Sequence, residues 1–383
     1  MRTFFEWGSK HLNKRSEELC GDSIVFSRLP DCITFVLSDG LGSGVKANIL
    51  ATLTTKIASH MLEHELPIDD VVETVSQTLP ICKIRKIAYS TFCIAQLFSE
   101  GYAHIFEYDT PPVFFLRNRK IQKIPYDDRA IQNKVIKETR FELRRGDWLI
   151  FVSDGALNAG IGGVWNLGWG WDNIANYLQS HTHPNLTAQE VADDLAATIN
   201  KLYDGMPGDD VSVAVIKVRR MLLATLMVGP PLKQEDDALV VKKLMATQGL
   251  RIVCGGTTAN IVSRELGRPT NVDLTTMTEN IPPVGSIDGI DLVTEGILTL
   301  SKTVENLKNN VPLKDLRYKI DGASSLTRSL ISVDAIKILV GQAMNPAHQE
   351  PRMPVELGIK THIAQQLADE LTKRGKEVEL EYF

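Results

Sequence analysis

Two tetrapeptides in this chain end alike: Leu37-Ser38-Asp39-Gly40 and Val152-Ser153-Asp154-Gly155. Each closes a short, continuous apolar run, Cys32–Ser38 and Trp148–Ser153, of the kind that forms a strand buried on both faces. An aspartate just past such a strand is held by a rigid element yet opens onto solvent, which is where a metal site gains preorganisation. The glycine that follows permits a tight turn and lets its carbonyl approach a cation. A third acidic group, Gly208-Asp209-Asp210, precedes the strand pattern Val211–Val218, and a fourth, Gly21-Asp22-Ser23, opens Ile24–Ser27. With no His beside them and Cys20 the one thiol adjoining a motif, these carboxylates suggest a hard, oxygen-rich donor set suited to Mg²⁺ or Mn²⁺. Any one Asp-Gly alone is a common turn. The ordered combination is the signal.

The elements that must position these groups follow from periodicity. Thr91–Gln96, Tyr102–Tyr108 and Val113–Arg117 are further strand candidates, separated by Ser-Glu-Gly and Asp-Thr-Pro-Pro turns, and suggest a meander. Val45–Leu62 spaces Ile49, Leu53, Ile57 and Met61 four apart, which predicts a helix with one apolar stripe. Ala188–Tyr203, after a Thr187 N-cap, repeats Val191, Leu195 and Ile199 on one face.

The pattern Gly21-Asp22-Ser23, Ser38-Asp39-Gly40-Leu41-Gly42-Ser43-Gly44, Phe151-Val152-Ser153-Asp154-Gly155 and Gly208-Asp209-Asp210-Val211-Ser212 resembles the PPM/PP2C protein phosphatases, within them the bacterial SpoIIE and RsbX branch. The resemblance covers about residues 1–220. It implies an α+β class and an αββα sandwich, two antiparallel sheets flanked by helices. It further implies a Ser/Thr protein phosphatase using two Mn²⁺ or Mg²⁺ ions. Asp39 would bridge the ions, Gly40 would ligate through its carbonyl, Asp154 and Asp209 would complete the set, and Asp22 would act through water. A hydroxide held between the ions would attack phosphorus. In that branch the substrates are phosphorylated regulators of partner-switching pathways, typically STAS-domain proteins. Two positions depart from the eukaryotic pattern: Leu41 stands where many members carry a general-acid His, and Glu17 stands at the offset of the phosphate-binding Arg, with Lys14 and Arg15 nearby. The alternative is a non-catalytic module of the same fold that binds a phosphorylated partner or senses a ligand.

Around this site, Gly160–Trp171 places Trp165, Trp169 and Trp171 among glycines. Such a segment suits either a substrate-docking flap, with Trp165 and Trp169 as anchors, or indoles packed on the domain's own core.

At 383 residues the chain is long enough for two domains. The division expected is 1–220, a linker over 221–236 containing Gly229-Pro230-Pro231 and the charged KQEDD, and an α/β domain over 237–383. In the latter, helices are expected at Asp237–Thr247, Ala259–Leu266, Asp291–Leu307 and Lys360–Arg374, and strands at Leu250–Cys254, Ile336–Val340 and Val378–Tyr382. Gly255-Gly256-Thr257-Thr258 is either an anion-binding loop at a helix start or a tight crossover turn. His348 and Pro282-Pro283 fall in loop-like segments. Ligand sensing, homodimerisation and partner docking are the roles open to this domain.

A net charge of −5 argues against a nucleic-acid partner. The five cysteines (Cys20, Cys32, Cys82, Cys93, Cys254) form no CxxC pair and fit a reducing cytoplasm. The first residues lack an apolar leader and no run spans a membrane, so a cytoplasmic protein is expected.

Overall fold

The computed structural model describes residues 3–383 except 30, 79–89, 132–133, 164, 274, 276–283 and 344–354. Cys82, Pro282-Pro283 and His348 lie outside the described residues. The chain divides into two compact units, Met1–Arg220 and Met221–Phe383.

The first unit runs β1 (Thr3–Leu12), β2 (Asp22–Arg28), β3 (Cys32–Asp39), α1 (Gly44–Glu63), α2 (Ile68–Thr78), β4 (Phe92–Phe98), β5 (Tyr102–Tyr108), β6 (Phe114–Arg117), β7 (Lys120–Ile121), β8 (Asp127–Ile131), β9 (Lys134–Glu142), β10 (Trp148–Val152), α3 (Asp154–Leu157), α4 (Gly170–His181), α5 (Ala188–Leu202) and β11 (Val211–Arg220). One antiparallel sheet has the order β1-β11-β10-β6-β7, the other β2-β3-β4-β5-β9-β8. Three apolar layers separate four layers of structure. Phe35, Leu37, Leu149, Phe151 and Ile216 fill the space between the sheets. The opposite faces of the same strands, Val36 on β3 and Ile150 and Val152 on β10, pack against α1–α2 and α4–α5 respectively. Burial on both faces is why β3 and β10 read as unbroken apolar runs. The architecture is an αββα sandwich.

Helix α5 begins with the expected Thr187 cap, and Glu190 completes a capping box. Helix α1 differs from its periodicity. Val45, Ile49 and Leu53 are 61%, 51% and 45% exposed, and the buried face is Ala47, Ala51, Thr54, Thr55, Ala58, Ser59 and Leu62. Small side chains let α1 lie close on β2, where Ser23–Thr55 and Ser27–Ser59 hydroxyl pairs at 2.9 Å satisfy the polar groups.

The second unit comprises β12 (Leu223–Val228), α6 (Asp237–Met245), β13 (Leu250–Cys254), α7 (Gly256–Leu266), β14 (Asn271–Asp273), β15 (Val284–Ser286), β16 (Leu292–Thr294), α8 (Ile297–Lys308), α9 (Leu313–Leu316), α10 (Gly322–Ser332), β17 (Ala335–Val340), α11 (Val355–Thr372) and β18 (Glu377–Tyr382). Its sheet order is β14-β15-β16-β13-β12-β17-β18, and the five strands from β16 to β18 are parallel. Helices α6 and α7 cover one face; α8, α10 and α11 cover the other. This is a doubly wound sheet.

Two expectations are corrected here. Leu223–Val228 is no linker: it is the central strand, paired in parallel with both β13 and β17. Its run is short, apolar and without alternation because both faces are covered. Asp291–Leu307 is not one helix either, since Leu292–Thr294 pairs with β13 before α8 begins. Among the described residues, no helix is long and apolar enough to cross a membrane.

Candidate metal centre

Asp22 is the first residue of β2 and Asp39 the last of β3, and the antiparallel register sets them directly opposite one another. Asp154 starts α3, just past β10 in the other sheet, and Asp209-Asp210 lead into β11, the neighbour of β10. The acidic groups therefore gather where both sheets end. Asp39 and Asp154 share a hydrogen bond, and the charges of Asp22, Asp154 and Asp209 all bear on Asp39.

Glycine is required at two points of this frame. A Cβ on Gly40 would collide with the Ala47 carbonyl of α1, and one on Gly155 with the Asp210 carbonyl. The two serines of the Ser-Asp-Gly repeats stitch neighbouring strands. Ser38 Oγ bonds Ser90 and donates to the Thr91 carbonyl at 2.7 Å, while Ser153 Oγ accepts the Ser212 N–H at 2.8 Å. The Asp39 carbonyl accepts from Thr91 N–H (3.0 Å) and Ser90 Oγ (3.1 Å). Each aspartate thus projects from backbone fixed by side chains as well as by the ladder.

The electrostatics are those of crowded acids. Burial, then the charges of Asp22, Asp154 and Asp209, push Asp39 up to about 9. Burial, followed by Asp209, also raises Asp154, which accepts the proton Asp39 retains. Asp22 is pushed up to about 6, chiefly by burial, with the nearby Ser153 and Ser212 hydroxyls pulling it back. The Ser153 and Ser212 hydroxyls approach Asp22 without forming a well-aligned hydrogen bond to either carboxylate oxygen, and Oδ2 of Asp210 has no such bond either. Among the described residues no three His, Cys, Asp or Glu side chains already close around a single point. A bound cation would offset the mutual charge that raises Asp39 and Asp154. Cys20 borders Asp22 and Asp210, but burial and those charges push its thiol up to about 12, and the orphaned buried oxygens that remain as donors fit hard divalent ions.

Several neighbours were not marked by the motif. Tyr203 donates to the Gly155 carbonyl at 2.7 Å, and burial with the charges of Asp209 and Asp154 pushes its phenol up to about 12. Lys14 Nζ lies 3.7 Å from Asp209 Oδ1, and the Lys14 N–H donates to Asp210 Oδ1 at 3.0 Å. Asp210 is 4% exposed and braces the strand entry, whereas the Asp209 side chain is 39% exposed at the site. Glu17 accepts from Ser43 Oγ at 3.0 Å and so serves the turn into α1. Lys14 beside an aspartate is visible in sequence only as charge; its partner is 195 positions away.

The tryptophan segment divides. Trp165 is 37% exposed. Trp169 is not an exposed anchor: it is 6% exposed, packs within the α4–α5 core, and lies edge-on to Tyr177. Trp171 stacks on Phe114 and donates to the Pro112 carbonyl at 2.9 Å. Glycines around the indoles reflect tight turns at Gly160, Gly168 and Gly170, all with positive φ. Trp169→Ala is expected to cost about 3–5 kcal/mol in urea unfolding, the range for truncating a buried aromatic, with Trp165→Ala close to neutral.

In the second unit Gly255-Gly256-Thr257-Thr258 leads from β13 into α7 and bonds to neighbouring strands' ends. The buried Thr258 hydroxyl accepts the Gly229 N–H at 2.9 Å, and Gly255, at φ 114°, donates to the Thr294 carbonyl. Thr258 thereby ties the residue after β12 to the first turn of α7.

Residues 30–219 match the family model described as Stage II sporulation protein E (SpoIIE). The matched residues lie in the N-terminal unit. The chain is 24% identical over 218 residues to Stage II sporulation protein E of Bacillus subtilis (strain 168), covering 55% of this chain and 25% of that protein. The solved PP2C phosphatase domain of SpoIIE from Bacillus subtilis, with a fragment of its regulatory domain, superposes with a TM-score of 0.48 at 22% identity, covering 57% of this chain and 64% of that one. RsbX in complex with magnesium superposes with a TM-score of 0.42 at 17% identity, covering 56% of this chain and 95% of that one. The matched stretch thus spans a quarter of that curated relative, and it falls on the unit that holds the aspartates.

Proposed function

We propose that the N-terminal unit is a metal-dependent protein phosphatase that hydrolyses phosphoserine or phosphothreonine on a bacterial regulatory protein, a STAS-type component of a partner-switching pathway. The observation that carries this reading is the gathering of Asp22, Asp39, Asp154 and Asp209 at the common end of two sheets. Asp39, Asp154, Asp209 and the Gly40 carbonyl would hold two Mn²⁺ or Mg²⁺ ions, with Asp22 acting through water. Bound there, such cations supply the acidity that makes water nucleophilic near neutral pH and offset charge on phosphoryl oxygens.

The chain's own residues do the rest. Ser38, Ser90, Ser153 and Tyr203 fix the backbone from which the aspartates project. Asp39 and Asp154, which share a hydrogen bond, are the carboxylates that would hold the cations together. Lys14, beside Asp209, supplies a positive charge at the rim for an incoming phosphoryl group, and the half-exposed Trp165 offers a docking contact for the substrate protein.

The test is release of phosphate from a phosphoserine peptide in Mn²⁺ or Mg²⁺. Excess chelator should abolish it and added Mn²⁺ restore it. Equal rates with and without chelator would end the metal-dependent reading.

A further inference from the structure

The turn Asp109-Thr110-Pro111-Pro112, which joins β5 of one sheet to β6 of the other, closes the same end of the sandwich as the aspartates. It is held rigidly. Asp109 takes a left-handed backbone (φ 52°), two consecutive prolines follow, and Val113 N–H donates to Glu107 Oε1 at 2.9 Å. Trp171 and Tyr126 complete the bracing, the first through the Pro112 carbonyl and the second through Glu107. Behind this turn lies a cavity about the volume of one water molecule, bounded by Asp39, Thr91, Thr110, Ser153 and Asp154. The Thr110 hydroxyl is buried there with no protein hydrogen-bond partner. An unpartnered hydroxyl and two carboxylates lining one water-sized space supply the partners that a buried water requires.

We propose that Thr110 is a positioning residue that, with Asp39 and Asp154, holds the water consumed in hydrolysis. This rests on the phosphatase reading above. In the reaction the water oxygen bonds to phosphorus and the bond from phosphorus to the serine oxygen breaks. One proton of the water ends on the serine hydroxyl, the other on the released phosphate. Thr110 neither gains nor loses a proton; its hydroxyl sets where the water sits. The rigid turn is what makes that position specific.

The test compares the full chain with Thr110→Val, which keeps the shape, and Thr110→Ser, which keeps the hydroxyl. With a phosphoserine peptide and Mn²⁺, Val should lower kcat by about tenfold with KM within about twofold, and Ser should recover most of the loss. Melting temperatures separate this from misfolding. A high-resolution crystal structure should place a water within bonding reach of Thr110 Oγ1 and of Asp39 or Asp154, and lose it in the Val variant. Wild-type kcat in Val, a Ser variant as slow as Val, or no such water would overturn the proposal. Wild-type protein that holds the water but leaves the peptide intact would overturn the phosphatase reading, and the catalytic role of Thr110 with it, while the water site itself would stand.

Discussion

Asp39→Asn should remove the phosphatase activity and at the same time make the metal-free protein more stable. Loss of the carboxylate at the centre of the acidic group is expected to lower kcat by at least about 10³-fold, the scale on which a single preorganised electrostatic contact matters. The stability effect runs the other way. Asp39 titrates at about 9 in the fold against an ordinary value of 3.8. Between those values the folded chain binds more protons at this site than the unfolded one, so stability falls as pH rises through the window. Asn carries no charge and escapes that loss. At pH 8 without divalent ions, the variant should melt roughly 2–5 °C higher than wild type. The wild-type gain in melting temperature on adding Mn²⁺ should grow from pH 6 to pH 9, as protons cease to compete, and vanish in the variant. A variant that melts below wild type at pH 8 in chelator would show that the acids are not in tension.

Gly40→Ala carries the second large effect. The added methyl would meet a backbone carbonyl of α1, which has no rotamer by which to yield. Overpacking of this kind costs about 1–3 kcal/mol. Relief requires either the β3 end or the start of α1 to move, and both border Asp39. A displacement near 1 Å at the reacting centre costs about 100-fold in rate. Activity assays together with chemical denaturation check both parts; wild-type turnover in Gly40→Ala would show that the close approach of α1 is irrelevant to the site.

Much of the centre was legible in the sequence because β3 and β10 are buried on both faces, so the Ser-Asp-Gly signal stood out at the end of an apolar run. The gathering itself was legible only through the order of four motifs. What local pattern missed has physical causes. On α1, most of the residues that bury are alanine, serine and threonine, which carry little hydrophobic signal, whereas Val45, Ile49 and Leu53 face outward. Trp169 sits among glycines that suggest a loop, yet its contacts come from helices later in the chain. Leu223–Val228 resembled a connector because Gly229-Pro230-Pro231 follows it at once, and only partners 26 and 112 positions away make it a central strand.

That strand constrains how the gene can be cut. β11 ends at Arg220 and β12 starts at Leu223, so two residues, Met221 and Leu222, join the last strand of one unit to the middle strand of the next. A clone of the second half opening at Asp237 would leave β13 and β17 without the strand between them, exposing two raw edges primed for aggregation. Expression of that half on its own has to open at Met221.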